Sequence, residues 1–82
     1  MIDYVLLVKS LILPLVIYPE DVKVNQTEEN DEINIEVLVN DADFGRVIGK
    51  GGKIANAIRT VVYAAASKMG QRVKVNIGQQ DE

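Results

Sequence analysis

Residues 46–54 read Arg46-Val47-Ile48-Gly49-Lys50-Gly51-Gly52-Lys53-Ile54. Glycines at three of the four positions from 49 to 52 let the backbone turn tightly and lie close to another molecule, because no Cβ intervenes. A helical pattern begins at Lys53, so the N–H groups of its first turn face whatever the loop touches. Lys50 and Lys53 add cations, and Val47 and Ile48 supply an aliphatic wall. The stretch therefore predicts an anion site with an apolar flank.

Spacing excludes two other phosphate-binding motifs. A Walker loop requires Gly-Lys followed by Ser or Thr, whereas Gly51 and Ile54 follow the Gly-Lys pairs of this chain. A dinucleotide-binding fingerprint requires Gly-x-Gly-x-x-Gly, and Ile54 occupies the place of its third glycine. What remains is Gly-x-x-Gly between two predicted helices, with Ile48 and Ile54 on either side. This pattern is either a nucleic-acid-binding loop or an ordinary helix–helix turn.

Charge is divided unevenly along the chain. The net charge is −3, yet residues 1–43 hold two lysines against ten acidic residues, and residues 44–80 hold seven basic and no acidic residues. The basic half contains the glycine loop, as expected for a local phosphate site on an acidic protein. We therefore expect binding to be salt-sensitive.

Length and composition limit the remaining functions. A chain of 82 residues makes one domain, and with no Cys or His it has no disulfide, thiolate zinc site or imidazole chemistry. No nucleophile has an evident base and no spaced metal-ligand set is present, so we expect no catalytic site, metal, cofactor or small-molecule substrate. The apolar N-terminal stretch is interrupted by Asp3, Lys9, Ser10 and Pro14 and lacks signal-peptide features. We expect a cytoplasmic protein with no membrane association.

Hydrophobic periodicity predicts the order helix, strand, strand, helix, helix, strand, which is an α+β chain. Residues 3–13 are predicted to form the first helix, and Pro14 ends it. One face of this helix consists of Val5, Val8, Ile12 and Val16. Leu6, Leu7 and Leu13 fall outside this face, and they lie either in the core or under a partner. Strands beginning at Val22 and Ile33 form a hairpin with a turn over residues 28–32, whose acidic cluster we interpret as a solvated tip. Asp41 or Asp43 caps a short helix that stops at Gly49.

The long helix after the loop closes at Gly70. Its predicted core stripe consists of Ile54, Ile58, Val61, Val62, Ala65 and Met69. Val73, Val75 and Ile77 then alternate with polar residues as the last strand. Residues 78–82 are predicted to be a polar tail.

This order and the loop resemble the bacterial-type, or type II, KH fold. In detail the chain resembles the KhpA family of small single-domain bacterial KH proteins, through Pro14-Leu15, Pro19, residues 45–52 and residues 57–63. The resemblance implies a two-layer α+β fold, with a three-stranded mixed sheet and helices packed on one face. Residues 1–80 then make a single KH domain with the loop at 49–52, and residues 81–82 are a polar C-terminal tail.

The same resemblance implies an RNA-binding function in which the loop clamps about four nucleotides of a single strand. It assigns phosphate contact to Gly49, Lys50, Gly51 and Gly52. Charge and position add Arg46 and Lys53, whereas Ile48 and Ile54 are either groove residues or plain core. Single-stranded DNA stays an alternative ligand, because phosphate contacts do not distinguish it from RNA.

A second hypothesis is an interaction subunit. A helix projection puts four residues on the side of the long helix opposite Ile54, namely Asn56, Arg59, Tyr63 and Ser67. Interfaces favour Tyr and Arg, although this spacing serves a solvated face equally well. The resemblance implies a homodimer, pairing with a larger Jag-type RNA-binding protein (KhpB), and an RNA-chaperone or regulatory role connected to cell division, cell shape and cell-wall growth.

Overall fold

A computed structural model describes residues 2–80, and its elements follow the predicted order. The helices are α1 (Tyr4–Ile12), α2 (Asp41–Ile48) and α3 (Lys53–Lys68), and the strands are β1 (Lys23–Glu29), β2 (Glu32–Asn40) and β3 (Arg72–Gln80). Short 3-10 turns cover Leu13–Leu15, Pro19–Asp21 and Lys50–Gly52. The predicted α+β fold with a mixed three-stranded sheet is confirmed.

The sheet has the order β1-β2-β3, with β2 antiparallel to β1 and parallel to β3. Alternation along β2 buries Ile33, Ile35, Val37 and Val39, and these residues form one core with buried residues of all three helices. The residues between them lie on the opposite, open face of the sheet. The helices therefore cover one face, as predicted.

The hairpin between β1 and β2 is tighter than predicted. Only Asn30 and Asp31 lie outside the strands, with φ of 54° and 65°. Two residues with positive φ make the turn whose twist matches that of paired strands, and Asn and Asp tolerate this region. The prediction of a turn over residues 28–32 is wrong at both ends, because Glu28, Glu29 and Glu32 belong to the strands.

Fewer residues of α3 are buried than its apolar pattern predicts. Ala55, Ile58, Val62 and Ala66 are buried, because small alanines let the helix approach the sheet closely. The prediction that Val61 and Met69 are core residues is wrong, since they are 44% and 48% exposed. Val61 falls on the flank of the stripe, and Met69 lies beyond the last helical turn.

The N-terminal segment is held at both of its ends. Asp3 caps α1 by accepting a hydrogen bond from the N–H of Leu6, and Pro14 lies in the 3-10 turn that follows the helix. The hydroxyl of Tyr4 donates to Oε1 of Gln71, just before β3. Leu6 and Leu13 are 62% and 40% exposed, so they do not belong to the core.

The far end of this segment is fixed by Asp43. Its two carboxylate oxygens accept the backbone N–H groups of Ile17 and Tyr18, each at 2.9 Å, and the side chain is fully buried. The capping position of α2 is taken by Asn40, whose side chain accepts from the N–H of Ala42. The expected cap by Asp41 or Asp43 is therefore wrong, because Asn40 precedes both and has the extended ψ that a cap requires.

The last strand is longer than predicted. Gly78, Gln79 and Gln80 pair with Leu38, Val39 and Asn40 of β2, so the prediction of a tail from residue 78 is wrong. Backbone N–H and C=O groups of these residues can pair with β2 even though their side chains are polar, so the strand continues. The expected tail residues 81 and 82 lie outside the described residues. None of the helices within residues 2–80 has the length and apolar character needed to span a membrane.

Candidate nucleic-acid interface

The loop between α2 and α3 adopts backbone conformations that suit glycine. Gly49, Gly51 and Gly52 have φ of 76°, 65° and 79°. Gly49 combines its φ with a ψ of 170°, a region that only glycine enters freely, whereas Gly51 and Gly52 lie in the left-handed helical region that Asn and Asp also tolerate. The loop shape therefore depends most strictly on Gly49.

Hydrogen bonds close this loop tightly. The N–H of Gly49 donates to the carbonyl of Gly45 at 2.9 Å, and the N–H of Gly52 donates to the carbonyl of Gly49 at 3.1 Å. A Cβ added at Gly51 would meet nothing within 4 Å, so that position faces open space. The middle of the loop can thus be approached by another molecule.

The first turn of α3 provides the electropositive part of the site. Gly52 stands at its N-cap, where it has no side chain to accept a backbone N–H, and the first turn holds no acidic residue. These N–H groups and the helix dipole favour an anion at this end of a sixteen-residue helix. Lys50 and Lys53 are both exposed beside it.

Arg46 lies one helical turn before the loop. Its side chain is 55% exposed, and its Nε is 3.7 Å from Oδ1 of the buried Asp43. The carboxylate that holds Ile17 and Tyr18 thus also lies beside the guanidinium of Arg46, whose side chain stays more than half exposed. Arg46 can therefore extend the cationic surface of Lys50 and Lys53 along α2.

The two isoleucines that flank the loop differ. Both are half-buried, but Ile54 packs against the core and its Cγ1 would lie only 2.7 Å from a Cβ at Gly49. Ile54 thus supports the loop from beneath. Ile48, the last residue of α2, is the better candidate for the aliphatic contact beside the phosphate site, because the side chain of Ile54 is already packed against the core.

The four residues predicted on the outer side of α3 do not act as one surface. Asn56, Tyr63 and Ser67 are exposed. Arg59 is half-buried, and its Nε donates to the carbonyl of Val75 in β3 at 3.1 Å while Nη1 donates to Oδ1 of Asn56 at 3.2 Å. Arg59 therefore joins α3 to the outer edge of the sheet.

Asp43 is the residue of this region whose role the sequence did not show. An acidic residue near a helix start is typical of an N-cap. Only the position of residues 17–18 beside α2 shows that Asp43 instead accepts the backbone N–H groups of these two residues. Across residues 2–80 no group of three or more Cys, His, Asp or Glu side chains could hold a metal ion.

Three clefts of the described residues lie at the hairpin, along the open face of the sheet and beside the start of α1, and none of the three is lined by a residue of the loop. A shallow cleft of about 370 Å³ at the hairpin end is lined by Glu28, Asp31, Ile33, Gly70 and Gln71. Its acidic rim does not suit a phosphate. The glycine loop is an open surface, which suits an extended chain better than a small enclosed molecule.

A family model described as "KhpA/KhpB, KH domain" matches residues 6–77. The chain belongs to the KhpA/KhpB family of KH domains. Curated relatives are named RNA-binding protein KhpA: that of Clostridium perfringens is 49% identical over 87% of this chain and 95% of the relative. The protein of Oceanobacillus iheyensis is 44% identical over the same shares, and that of Lactiplantibacillus plantarum is 42% identical over 98% of this chain and 96% of its own. The match to KhpA proteins thus spans nearly their full length.

Part of each of two solved structures of Era is similar in fold to this chain. The complex of Era with MgGDPNP and a segment of 16S ribosomal RNA has a TM-score of 0.63 and 15% identity, over 92% of this chain and 29% of that chain. A structure of Aquifex aeolicus Era bound to GDP and AlF4⁻ gives a TM-score of 0.62 at 14% identity, over the whole chain and 33% of that chain. At these identities the likeness concerns the fold of the KhpA/KhpB domain alone.

Proposed function

We propose that this chain is a cytoplasmic RNA-binding protein that clamps about four nucleotides of single-stranded RNA at the Gly49–Gly52 loop. The observation that carries the proposal is the loop itself, which opens onto an uncapped first turn of α3 between exposed Lys50 and Lys53. The name of its relatives, RNA-binding protein KhpA, supports the same function. No catalytic role is proposed.

In this proposal the backbone phosphates lie against the loop and the first turn of α3. Lys50 and Lys53 neutralise them, Arg46 extends the contact along α2, and Ile48 packs against a sugar or base. The chain offers few aromatic residues, one Phe and three Tyr, so bases are read at their edges and not on a stacking platform. The protein acts as an RNA chaperone or regulator, with a role in cell division and envelope growth.

A charge substitution at Gly51 tests this function with a matched control. In Gly51→Asp and Gly51→Asn the new side chains have nearly the same shape, and both residue types tolerate the left-handed backbone. The position is open, so either side chain fits. Only the aspartate places a negative charge beside the phosphates. Fluorescence anisotropy with a labelled single-stranded RNA of random sequence should show at least about tenfold weaker binding for Asp than for Asn, because the carboxylate repels the nearby phosphates and the neutral amide does not.

If the two folded variants bind the RNA with equal affinity, the loop is not the RNA-binding site. The same titration with single-stranded DNA of matched length separates the two polymers. Weaker binding of DNA than of RNA would indicate contact with the 2′-hydroxyl. Equal binding would indicate that the protein recognises only the phosphates.

A second candidate function is an interaction subunit acting through the outer side of α3. Tyr63 is 41% exposed, and Asn56 and Ser67 are exposed on the same side of the helix. A homodimer or a complex with a Jag-type KhpB protein would cover this side. Sedimentation of the Tyr63→Ala protein, alone and with such a KhpB protein, tests it: an unchanged mass in both experiments contradicts an interface at Tyr63.

A further inference from the structure

The side-chain amide of Asn56 is held in one orientation by Arg59. Nη1 of Arg59 donates to Oδ1 of Asn56 at 3.2 Å, and Nε of the same guanidinium donates to the carbonyl of Val75 at 3.1 Å. A guanidinium only donates hydrogen bonds, so the amide atom beside it is the oxygen and the NH2 group lies on the other side of the amide. Because β3 anchors Arg59, the direction of the Asn56 amide is fixed as well.

The nitrogen of this amide lies beside the glycine loop. A Cβ added at Gly52 would lie 3.9 Å from Nδ2 of Asn56. The position follows from the helix, since side chains of an α-helix lean toward its N-terminus and Asn56 is in the second turn of α3. Asn56 is exposed, and within residues 2–80 no group accepts a hydrogen bond from its Nδ2. A neutral side-chain donor is therefore available to a ligand of the loop.

We propose that Nδ2 of Asn56 donates a hydrogen bond to a phosphate oxygen of the bound RNA, in an orientation that Arg59 fixes. The inference rests on the proposed function of the loop and adds one contact to it. Asn side chains are common donors to phosphates, and this amide lies at the same end of α3 as the uncapped N–H groups and the exposed Lys53. Asn56 thus belongs with the loop, and Arg59 is its positioning residue.

Substitution of Asn56 by alanine tests the contact. Asn56→Ala should weaken binding of a labelled single-stranded RNA about three- to tenfold in anisotropy titrations, because it removes a hydrogen bond to a charged group at an exposed site. The slope of log affinity against log salt should stay that of the wild type, since a neutral donor releases no counterion. The fold should be kept, because alanine is the best helix former.

Ser67→Ala is the matched control. It also removes a polar group from an exposed position on the same side of α3, but near the far end of the helix, and should bind RNA like the wild type. If Ser67→Ala and Tyr63→Ala weaken RNA binding as much as Asn56→Ala does, this side of the helix acts as one surface and the proposal is overturned.

Two RNA homopolymers distinguish a phosphate contact from a base contact. Asn56→Ala should weaken binding to oligouridylate and to oligoadenylate by the same factor, because every nucleotide carries the same phosphate. A loss of affinity confined to one of the two polymers would indicate a contact with a base edge and would overturn the assignment to phosphate.

Arg59→Lys tests the positioning role. The variant keeps the positive charge, but lysine lacks the forked group with which Arg59 reaches Val75 and Asn56 at once. In the Arg59→Lys background, Asn56→Ala should therefore cause a smaller loss of RNA affinity than in the wild type, because the amide is no longer oriented. An equal loss in both backgrounds would overturn the role of Arg59.

The two Gly51 variants, titrated with the same RNA, separate failure of this inference from failure of the proposed function. If Gly51→Asp binds more weakly than Gly51→Asn while Asn56→Ala binds like the wild type, the loop binds RNA without Asn56 and only the inference is wrong. If Gly51→Asp and Gly51→Asn bind equally, the loop is not the RNA-binding site and both proposals are wrong.

Discussion

A Cβ placed at Gly49 would lie 2.7 Å from Cγ1 of Ile54 and 2.9 Å from its backbone nitrogen. Ile54 is part of the first turn of α3 and packs against the core, so it cannot move away without disturbing that packing. Gly49 is therefore a structural requirement of the loop, whereas Gly51 and Gly52 leave room for another molecule.

The first prediction follows from this contrast. Gly49→Ala should lower the free energy of unfolding by about 2–4 kcal/mol, because it adds a steric clash to a backbone region reserved for glycine. Gly51→Ala should lower it by only about 1 kcal/mol, since the position is open and only the left-handed backbone is strained. Urea unfolding of the two variants measures the difference. Equal losses would contradict the role of Ile54.

The second prediction concerns salt. With about three to four phosphates neutralised on a single strand, the slope of log affinity against log salt should be about −2 to −3. Lys50→Gln and Lys53→Gln should each make the slope shallower by about 0.7. Lys74→Gln is the matched control, because Lys74 is exposed on β3, away from the loop, and should leave the slope unchanged. Equal slopes in all three variants would exclude the two loop lysines from phosphate contact.

The third prediction concerns the buried carboxylate. Asp43→Asn should lower the free energy of unfolding by about 1–3 kcal/mol, because an amide oxygen can replace only one of the two oxygens that accept from Ile17 and Tyr18. Asp41→Asn makes the same chemical change at an exposed site in the same helix turn, and should cost at most about 1 kcal/mol. Thermal unfolding compares them. A loss for Asp41→Asn as large as that for Asp43→Asn would show a general charge effect.

The fourth prediction separates two residues of α3. Arg59→Ala should destabilise the protein by about 1–3 kcal/mol, because it removes a charged donor from the carbonyl of Val75. Tyr63→Ala should change stability by less than about 0.5 kcal/mol as a surface substitution. The measurement is unfolding of monomeric protein at low concentration. A stable Arg59→Ala protein would indicate that this hydrogen bond contributes little.

Local pattern was sufficient for much of this fold. Three features determine the conformation of the residues next to them: the alternation in β2, Pro14 after α1 and the glycines before α3. The element order and the loop could therefore be predicted from the sequence. The loop glycines were predicted as a group, but their different roles were not. Only the position of Ile54 and the ψ of Gly49 show which of them a side chain would exclude.

The residues that sequence reasoning misplaced act over longer distances. Arg59 looked like an exposed surface residue, because the outward carbonyl of Val75 becomes its neighbour only once β3 lies beside β2. Asp43 looked like a cap for the same reason, since its partners are 25 and 26 residues earlier. Hydrophobic periodicity gives the direction in which a helix is buried but not the width of the contact, so Val61 and Met69 were assigned to the core.

The anchoring of α1 also bears on how the chain folds as it leaves the ribosome. The helix is synthesised before the strands, yet Tyr4 bonds a residue 67 positions later, and β2 obtains its parallel neighbour only when β3 has been made. Short helices of nine residues are marginal in isolation. Folding of this domain should therefore be completed only when β3 has emerged, and until then the apolar side of α1 lacks its partners in the core.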